Sequence, residues 1–144
     1  MLEFYIRFMR TIEILLLATL CFGLVQSLVR QNAMGEWKVH IDKCPKPDLN
    51  GLDLQTSMPT SIHLDLLRNG KIEDSFKGAI WESQRWISEC NLTYTKKITI
   101  SKEILGFQNV EIVFEGIDTY STVYFNDQKI LETQNAFVEY RALI

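Results

Sequence analysis

The chain of 144 residues has a formal net charge of −3 and is 47% hydrophobic, which suits one domain with one modest core. Its mild acidity, with no basic stripe along the sequence, argues against a nucleic-acid-binding protein. Three prolines and seven glycines exclude a low-complexity chain.

The start of the chain is typical of a targeting segment. Arg7 and Arg10 supply positive charge, and an apolar run of twelve residues follows at 14–25. The run has the length of a signal-peptide hydrophobic region and is short for a membrane span, so we predict a signal peptide over 1–27. A signal anchor is the alternative, because the residues before the run are also fairly apolar. Residues 28–144 then form the predicted domain.

Two cysteines follow this segment, whereas Cys21 lies within it. A secretory route would place Cys44 and Cys90 in an oxidising compartment, where they could form one disulfide. Two free thiols remain the alternative, because a sequence does not supply the geometry of a pair. The two cysteines have no zinc-site spacing, and no glycine-rich phosphate loop occurs. We therefore expect no metal and no cofactor.

The first predicted strand lies at 36–41, where apolar and polar residues alternate. Trp37, Val39 and Ile41 share one face of it, since successive side chains in a strand point to opposite sides. A loop rich in Pro, Asp, Asn and Gly follows at 44–51.

A short strand at 52–55 and a short helix come next. Ser61 can cap the start of that helix, and Gly70 can end it. The segment after the helix has weak periodicity and contains two tryptophans, Trp81 and Trp86.

Residues 92–100 alternate clearly and predict a strand, with Lys96 as the one break in its apolar face. Asn91-Leu92-Thr93 is an N-glycosylation acceptor triplet, which has meaning if the chain enters the secretory pathway. An unused triplet is the alternative.

The last third of the chain has the clearest pattern. Strands are predicted at 110–115, 119–125, from 129 to 131 and at 137–143. Asn126-Asp127 is typical of a hairpin turn between the second and third of them. Such hairpins indicate an antiparallel, all-β sandwich or barrel.

The same region carries a family resemblance, in motifs that occur in a fixed order. They are Phe114-Glu-Gly-Ile-Asp-Thr119, Val123-Tyr-Phe-Asn126, Glu132-Thr-Gln-Asn-Ala-Phe137 and Tyr140, preceded by Met58-Pro59-Thr-Ser-Ile-His63 and Gln84-Arg85-Trp86-Ile87. Together they resemble the N-terminal sugar-binding domain of β-mannosidases, family-two glycoside hydrolases of the lysosomal type. The resemblance covers about 37–140. It implies a galactose-binding-like jelly-roll β-sandwich, of which we expect this chain to hold an incomplete copy.

The chain departs from the family pattern at four places. Thr60 stands where the family has glycine, and it would be costly if that position needs a positive φ. Ile80-Trp81 replaces a polar pair, Leu92 replaces a tryptophan, and Gln134 replaces an aspartate.

Glycoside hydrolysis needs two carboxyl groups, about 5 Å apart in a retaining enzyme. The acids of the last third are Glu111, Glu115, Asp118, Glu132 and Glu139. Most fall on the polar face of strands, and we interpret them as solvated. For Asp118, in a turn, we expect a structural role as acceptor for turn amides. The resemblance places the two catalytic glutamates in a later barrel of about 250 residues, so we predict no catalytic residue here.

The other candidate site residues are histidines and tryptophans. His40 and His63 have no nucleophile or metal partner at a recognisable spacing. Trp81 and Trp86 could stack on a sugar ring, but packing is the alternative.

We therefore interpret the chain as the N-terminal part of a secreted or lysosomal β-mannosidase, inactive by itself. Through the full-length enzyme its partners would be β-mannoside oligosaccharides; we expect no nucleic acid partner and no membrane association after signal cleavage. Two alternatives stay open: a stand-alone secreted carbohydrate-binding module, and a degenerate, non-enzymatic relative that folds only with a partner.

Overall fold

The computed structural model describes residues 29–144 and the backbone of 4–9. The described strands are β1 (Phe4–Met9), β2 (Arg30–Asn32), β3 (Gly35–Lys43), β4 (Asp53–Met58), β5 (Asn91–Thr95), β6 (Asn109–Phe114), β7 (Ser121–Phe125), β8 (Gln128–Thr133) and β9 (Tyr140–Leu143). The helices are α1 (Ile62–Arg68) and α2 (Ile80–Ser83), with single 3-10 turns at Pro47–Leu49, Arg85–Glu89 and Ile104–Gly106. The fold is therefore all-β with few helices, as predicted.

The chain divides into two compact units. The first runs over Met34–Lys97, and the second joins Ile98–Ile144 to the described residues before Met34. The signal peptide predicted over 1–27 lies, apart from β1, outside the described residues, and its cleavage stays a prediction.

The first unit is built on an antiparallel sheet of three strands in the order β4-β3-β5. The predicted alternation of β3 is confirmed: Trp37, Val39 and Ile41 are buried, and Val39 lies opposite Leu54 of β4. The inward face packs into a core with Leu66 of α1. Because apolar residues occur at every second position, one face of the sheet is covered and the other is left to solvent.

Helix α1 begins and ends as its sequence predicts. The Ser61 hydroxyl accepts a hydrogen bond from the Leu64 amide at 3.4 Å, as an N-cap residue does. Gly70 adopts φ +65 just beyond the last turn, a conformation that glycine reaches without steric cost.

Strand β5 is shorter than predicted, because it ends at Thr95 and not at Ile100. At the next residue the Lys96 ammonium donates to the Met34 carbonyl and lies 5.8 Å from the centroid of the Trp37 ring. This break in the apolar pattern coincides with the passage of the chain from the first unit to the second.

The second unit has a sheet in the order β2-β1-β6-β9, with every pairing antiparallel. Ile112, Val113 and Phe114 of β6 are buried, together with Ile117 and Ala142. The predicted strand at 110–115 is thus confirmed as β6.

A separate hairpin of β7 and β8 confirms the predicted turn. Asn126 and Asp127 have φ angles of 48° and 64°, the positive values that a two-residue hairpin turn requires.

The last strand differs from its prediction, because it begins at Tyr140 and not at Phe137. The Tyr140 hydroxyl accepts hydrogen bonds from the amides of Gln134 and Asn135, at 3.2 and 3.0 Å. The Asn135 side chain in turn accepts from the Phe137 amide at 2.9 Å. These local hydrogen bonds hold a turn where the apolar residues alone predicted a strand.

Candidate functional site

The most completely buried polar side chain described is that of Asp65, in the first turn of α1, with 0% exposure. One of its carboxylate oxygens accepts from the Thr56 hydroxyl and, at 2.6 Å, from the Thr60 hydroxyl. The other accepts from the Tyr94 hydroxyl at 3.0 Å. A buried carboxylate is tolerated when donors surround it in this way. We call these four residues the Asp65 cluster.

The phenol of Tyr94 is perturbed by this neighbourhood. Burial raises the pKa of Tyr94 above its ordinary value, and the charge of Asp65 and the hydrogen bond to it raise that pKa further. All three causes disfavour the phenolate, so Tyr94 acts here as a neutral donor and cannot serve as a base at physiological pH.

The departure at Thr60 is accommodated without the cost that the family comparison suggested. The described non-glycine residues with positive φ are Asn126 and Asp127, so Thr60 has an ordinary backbone conformation. Its hydroxyl gives Asp65 a donor that glycine could not supply. The sequence analysis did not predict the burial of Asp65, since an aspartate in a short helix is ordinarily expected at the surface, even between two leucines.

An open cleft of about 730 Å³ lies beside this cluster in the first unit. Glu36 and Arg68 are exposed at it, and Met58 and Pro59 contribute apolar surface. Among the described residues that line the cleft, Glu36 is the single carboxylate. The cleft therefore lacks the second carboxyl group that glycoside hydrolysis requires.

Three of the acids noted in the last third of the chain form ion pairs within the second unit. Arg141 lies 3.5 Å from Glu111 and 2.5 Å from Glu139, and the hydrogen bond to Glu139 raises the pKa of Arg141. Glu132 pairs with Lys129 three residues away in the same strand. These are partly exposed ion pairs of the kind expected on a solvated strand face.

Asp118 accepts a hydrogen bond from the side-chain hydroxyl of Thr119 within the turn after β6. A structural role for Asp118 was expected, although the donor predicted for it was a turn amide.

His40 acquires carboxylate partners that its sequence position did not reveal. The register of β3 and β4 sets it opposite Asp53, with 2.6 Å between Nδ1 and Oδ1, and Asp42 lies 3.9 Å from Nε2. The Thr93 hydroxyl donates to Asp42 at 2.7 Å. Since that hydroxyl is held by a carboxylate and not by the imidazole, this group does not form a nucleophile and base pair. His63 is exposed on α1.

The two tryptophans named as sugar-binding candidates differ in their surroundings. Trp81 on α2 is 54% exposed. Trp86 is half-buried against the core of the first unit, and the Lys46 ammonium lies 4.6 Å from the centroid of its ring. A ring already covered by an ammonium group is poorly placed to stack on a sugar, so Trp81 is the better candidate.

Cys44 and Cys90 lie side by side, with a Cα separation of 4.3 Å, and the structure joins them in a disulfide. The link connects the loop after β3 to the start of β5. Asn50 supports that loop, because its side chain accepts from the Cys44 amide at 2.6 Å.

Among the described residues, no three His, Cys, Asp or Glu side chains come together as a metal site. Within the same residues, no helix is both long enough and apolar enough to span a membrane.

Comparison with known proteins identifies the family. Residues 31–144 match the family described as "Glycosyl hydrolase 2 galactose-binding domain-like". The chain belongs to this family.

Curated relatives of this glycosyl hydrolase 2 domain include β-mannosidases from animals and fungi. The chain is 32% identical to a β-mannosidase of Bos taurus over 127 residues, which is 88% of this chain and 14% of that protein. It is 39% identical to β-mannosidase A of Aspergillus terreus over 87 residues, 58% of this chain and 9% of that protein. The chain thus spans a small part of the length of the relatives that it matches.

A solved structure supports the same fold. The β-D-mannosidase of Dictyoglomus thermophilum aligns with a TM-score of 0.68 and 34% identity, over 77% of this chain and 13% of that one. The galactose-binding-like fold expected from the motifs is therefore confirmed.

Proposed function

We propose that this chain is the galactose-binding-like N-terminal part of a β-mannosidase, an enzyme that removes terminal β-linked mannose from oligosaccharides and glycoproteins. The observation that carries the proposal is the match to the Dictyoglomus thermophilum β-D-mannosidase in both fold and sequence over most of this chain. A fold alone would not identify an activity, but motifs in the same order on the same fold support common descent.

We further propose that the chain by itself does not hydrolyse mannosides. The cleft of the first unit carries one carboxylate. In the second unit, Glu111, Glu132 and Glu139 are held in ion pairs, and Asp118 accepts from a neighbouring hydroxyl. Neither arrangement offers an acid and a nucleophile across one glycosidic bond. In the proposed enzyme that pair lies outside this chain.

The proposal includes a secretory destination, in the lysosome or outside the cell, with residues 1–27 as a cleaved signal peptide. Cleavage would remove β1 and leave β6 paired with β9 alone. Two features support the secretory destination: the charged start followed by an apolar run, and the juxtaposition of Cys44 and Cys90, which suits an oxidising compartment.

The test of inactivity is a turnover assay of the full chain, expressed in eukaryotic cells and purified, with an aryl β-mannoside and with the Bos taurus enzyme as the positive control. We expect no release above the level of a matched preparation that carries Glu36→Gln. Turnover that survives purification and is lost in Glu36→Gln would overturn the proposal and place a catalytic acid in the cleft.

One observation favours a second candidate, a stand-alone carbohydrate-binding module: the exposed indole of Trp81. Titration calorimetry with mannose and manno-oligosaccharides distinguishes the two. A module would give saturable heat that Trp81→Ala abolishes and that Trp86→Phe leaves in place. The absence of heat at millimolar sugar would exclude it.

A further inference from the structure

We propose that Asn91 is a modification site that carries an N-linked glycan on the solvent-facing side of the β4-β3-β5 sheet. The proposal rests on the secretory route given above for the whole chain. Asn91-Leu92-Thr93 is the single triplet of the form Asn-X-Ser/Thr, with X other than proline, in the whole sequence.

The position of Asn91 in β5 determines where its side chain points. Leu92 and Tyr94 pack against the core of the first unit, whereas Asn91, Thr93 and Thr95 are exposed. Since successive side chains of a strand alternate between its faces, Asn91 and Thr93 lie on the outer face. A glycan attached there projects into solvent and displaces no core residue.

The neighbours of Asn91 on the sheet are polar. It pairs with Lys43 of β3, and Thr93 pairs with His40. The register shifts between Ile41 and Lys43, next to this pair. Such a face, bordered by long or charged side chains, is one that a hydrophilic glycan can cover without loss of apolar burial.

The side-chain amide of Asn91 is available. Within the part of the chain that the structure describes, it has no hydrogen-bond partner. The preceding residue, Cys90, faces the core and is joined to Cys44. The disulfide and the glycan therefore occupy opposite sides of the strand, so one does not exclude the other.

The reaction is a group transfer without oxidation or reduction. The donor is an oligosaccharide linked through C1 of an N-acetylhexosamine to a polyprenyl diphosphate. The Asn91 amide nitrogen forms a bond to C1, and the bond between C1 and the diphosphate oxygen breaks. The electron pair of that bond leaves with the polyprenyl diphosphate, and the amide nitrogen gives up one proton to solvent.

The experiment expresses the full chain in cultured eukaryotic cells in two forms. One form keeps its own residues 1–27, and the other replaces them with an established cleavable secretory leader. The intact mass of each product is measured before and after peptide-N-glycosidase treatment. We expect the mass to fall by one glycan in both forms, with conversion of Asn91 to aspartate in the peptide that contains it.

Matched variants identify the acceptor. Asn91→Gln and Thr93→Ala should each remove the glycan completely, and Thr93→Ser should retain it. Thr95→Ala alters the same face of the same strand outside the triplet and should also retain it.

Each result decides a separate claim. An unmodified Asn91 in secreted protein with the foreign leader would overturn the glycan proposal, whatever the function of the chain. A glycan with the foreign leader alone would support the acceptor site and overturn the secretory route. A glycan that persists in Asn91→Gln would place the modification elsewhere and overturn the assignment.

Discussion

At the scale of single residues, the Asp65 cluster is the feature that most constrains the first unit. Asp65 lies in α1, Thr56 in β4, Tyr94 in β5 and Thr60 in the turn before the helix. One buried carboxylate thus holds four segments together through donors that satisfy it. Hydrogen bonds to a charged group are stronger than those between neutral groups. Removal of the charge should therefore lower the stability of the whole first unit.

Asp65→Asn tests this directly. The amide keeps the size of the side chain but loses the charge and turns one acceptor into a donor that faces hydroxyl groups. We expect the free energy of unfolding to fall by about 3 kcal/mol. Urea denaturation measures it. Asp53→Asn, at an exposed carboxylate paired with His40, is the control and should cost under about 1 kcal/mol. Equal losses in the two variants would contradict the role given to Asp65.

Tyr94 should lower the stability of the folded chain at alkaline pH. Its pKa is raised in the folded state, so its contribution is fully present below the ordinary tyrosine pKa of about 10. Above that pH the unfolded chain loses a proton that the folded chain keeps, and stability falls as pH rises, by up to about 1.4 kcal/mol per pH unit.

The measurement is the urea midpoint of wild type and Tyr94→Phe between pH 7 and 11. The variant should be less stable at pH 7, because Asp65 loses a donor, but its stability should decline less steeply above pH 10. Tyr124→Phe, at an exposed tyrosine, should follow wild type. Parallel alkaline curves for wild type and Tyr94→Phe would show that Tyr94 is not the group responsible.

At the scale of elements, the sequence predicted those strands, turns and helix ends that depend on residues close together in the chain. Alternation located β3 because one face of it is buried, and the apolar residues of 110–114 located β6, which is buried on both faces at its end. Turn chemistry located the hairpin at Asn126-Asp127. Ser61 and Gly70 predicted the limits of α1 because capping acts within one turn.

What local pattern did not predict depends on partners distant in sequence. The end of β5 follows from contacts of Lys96 with Met34 and Trp37, and the late start of β9 follows from the Tyr140 hydroxyl. β1 and β2 were not predicted as strands, and they owe their place to pairing within the second unit. The Asp65 cluster joins residues from four segments, so no short window of sequence contains it.

The hairpin offers a prediction at this scale. Asp127 has φ 64°, where a side chain is strained and glycine is not. Asp127→Gly should therefore stabilise the chain by about 0.5 to 1 kcal/mol, since Asn-Gly is the preferred pair for this turn. Thermal unfolding measures the change. The control is Asp48→Gly in a 3-10 turn, which should destabilise or have no effect. A loss of stability in Asp127→Gly would contradict the turn geometry.

At the scale of the whole molecule, the chain is two compact units that together match one domain family. The covalent link of the first unit closes a loop between residues 46 apart in sequence. By the chain-entropy estimate such a link stabilises by about 4 kcal/mol.

We therefore predict that Cys44→Ser with Cys90→Ser lowers the free energy of unfolding by about 4 kcal/mol relative to the oxidised chain. A thiol count on the secreted wild-type protein must accompany it and should find no reactive thiol at these positions. Cys21→Ser is the matched control and should leave the stability of the secreted protein unchanged if residues 1–27 are removed. Two free thiols in the secreted wild type would show that the pair does not form.

The central claim is that this chain is part of a β-mannosidase and supplies none of its catalytic residues. The most direct test captures the native polypeptide with an antibody raised against residues 98–144, then measures its intact mass and its turnover of an aryl β-mannoside. The account predicts a captured polypeptide much larger than 16.8 kDa that hydrolyses the mannoside in preference to the matching galactoside. A captured polypeptide of about the mass of this chain, without turnover, would contradict it.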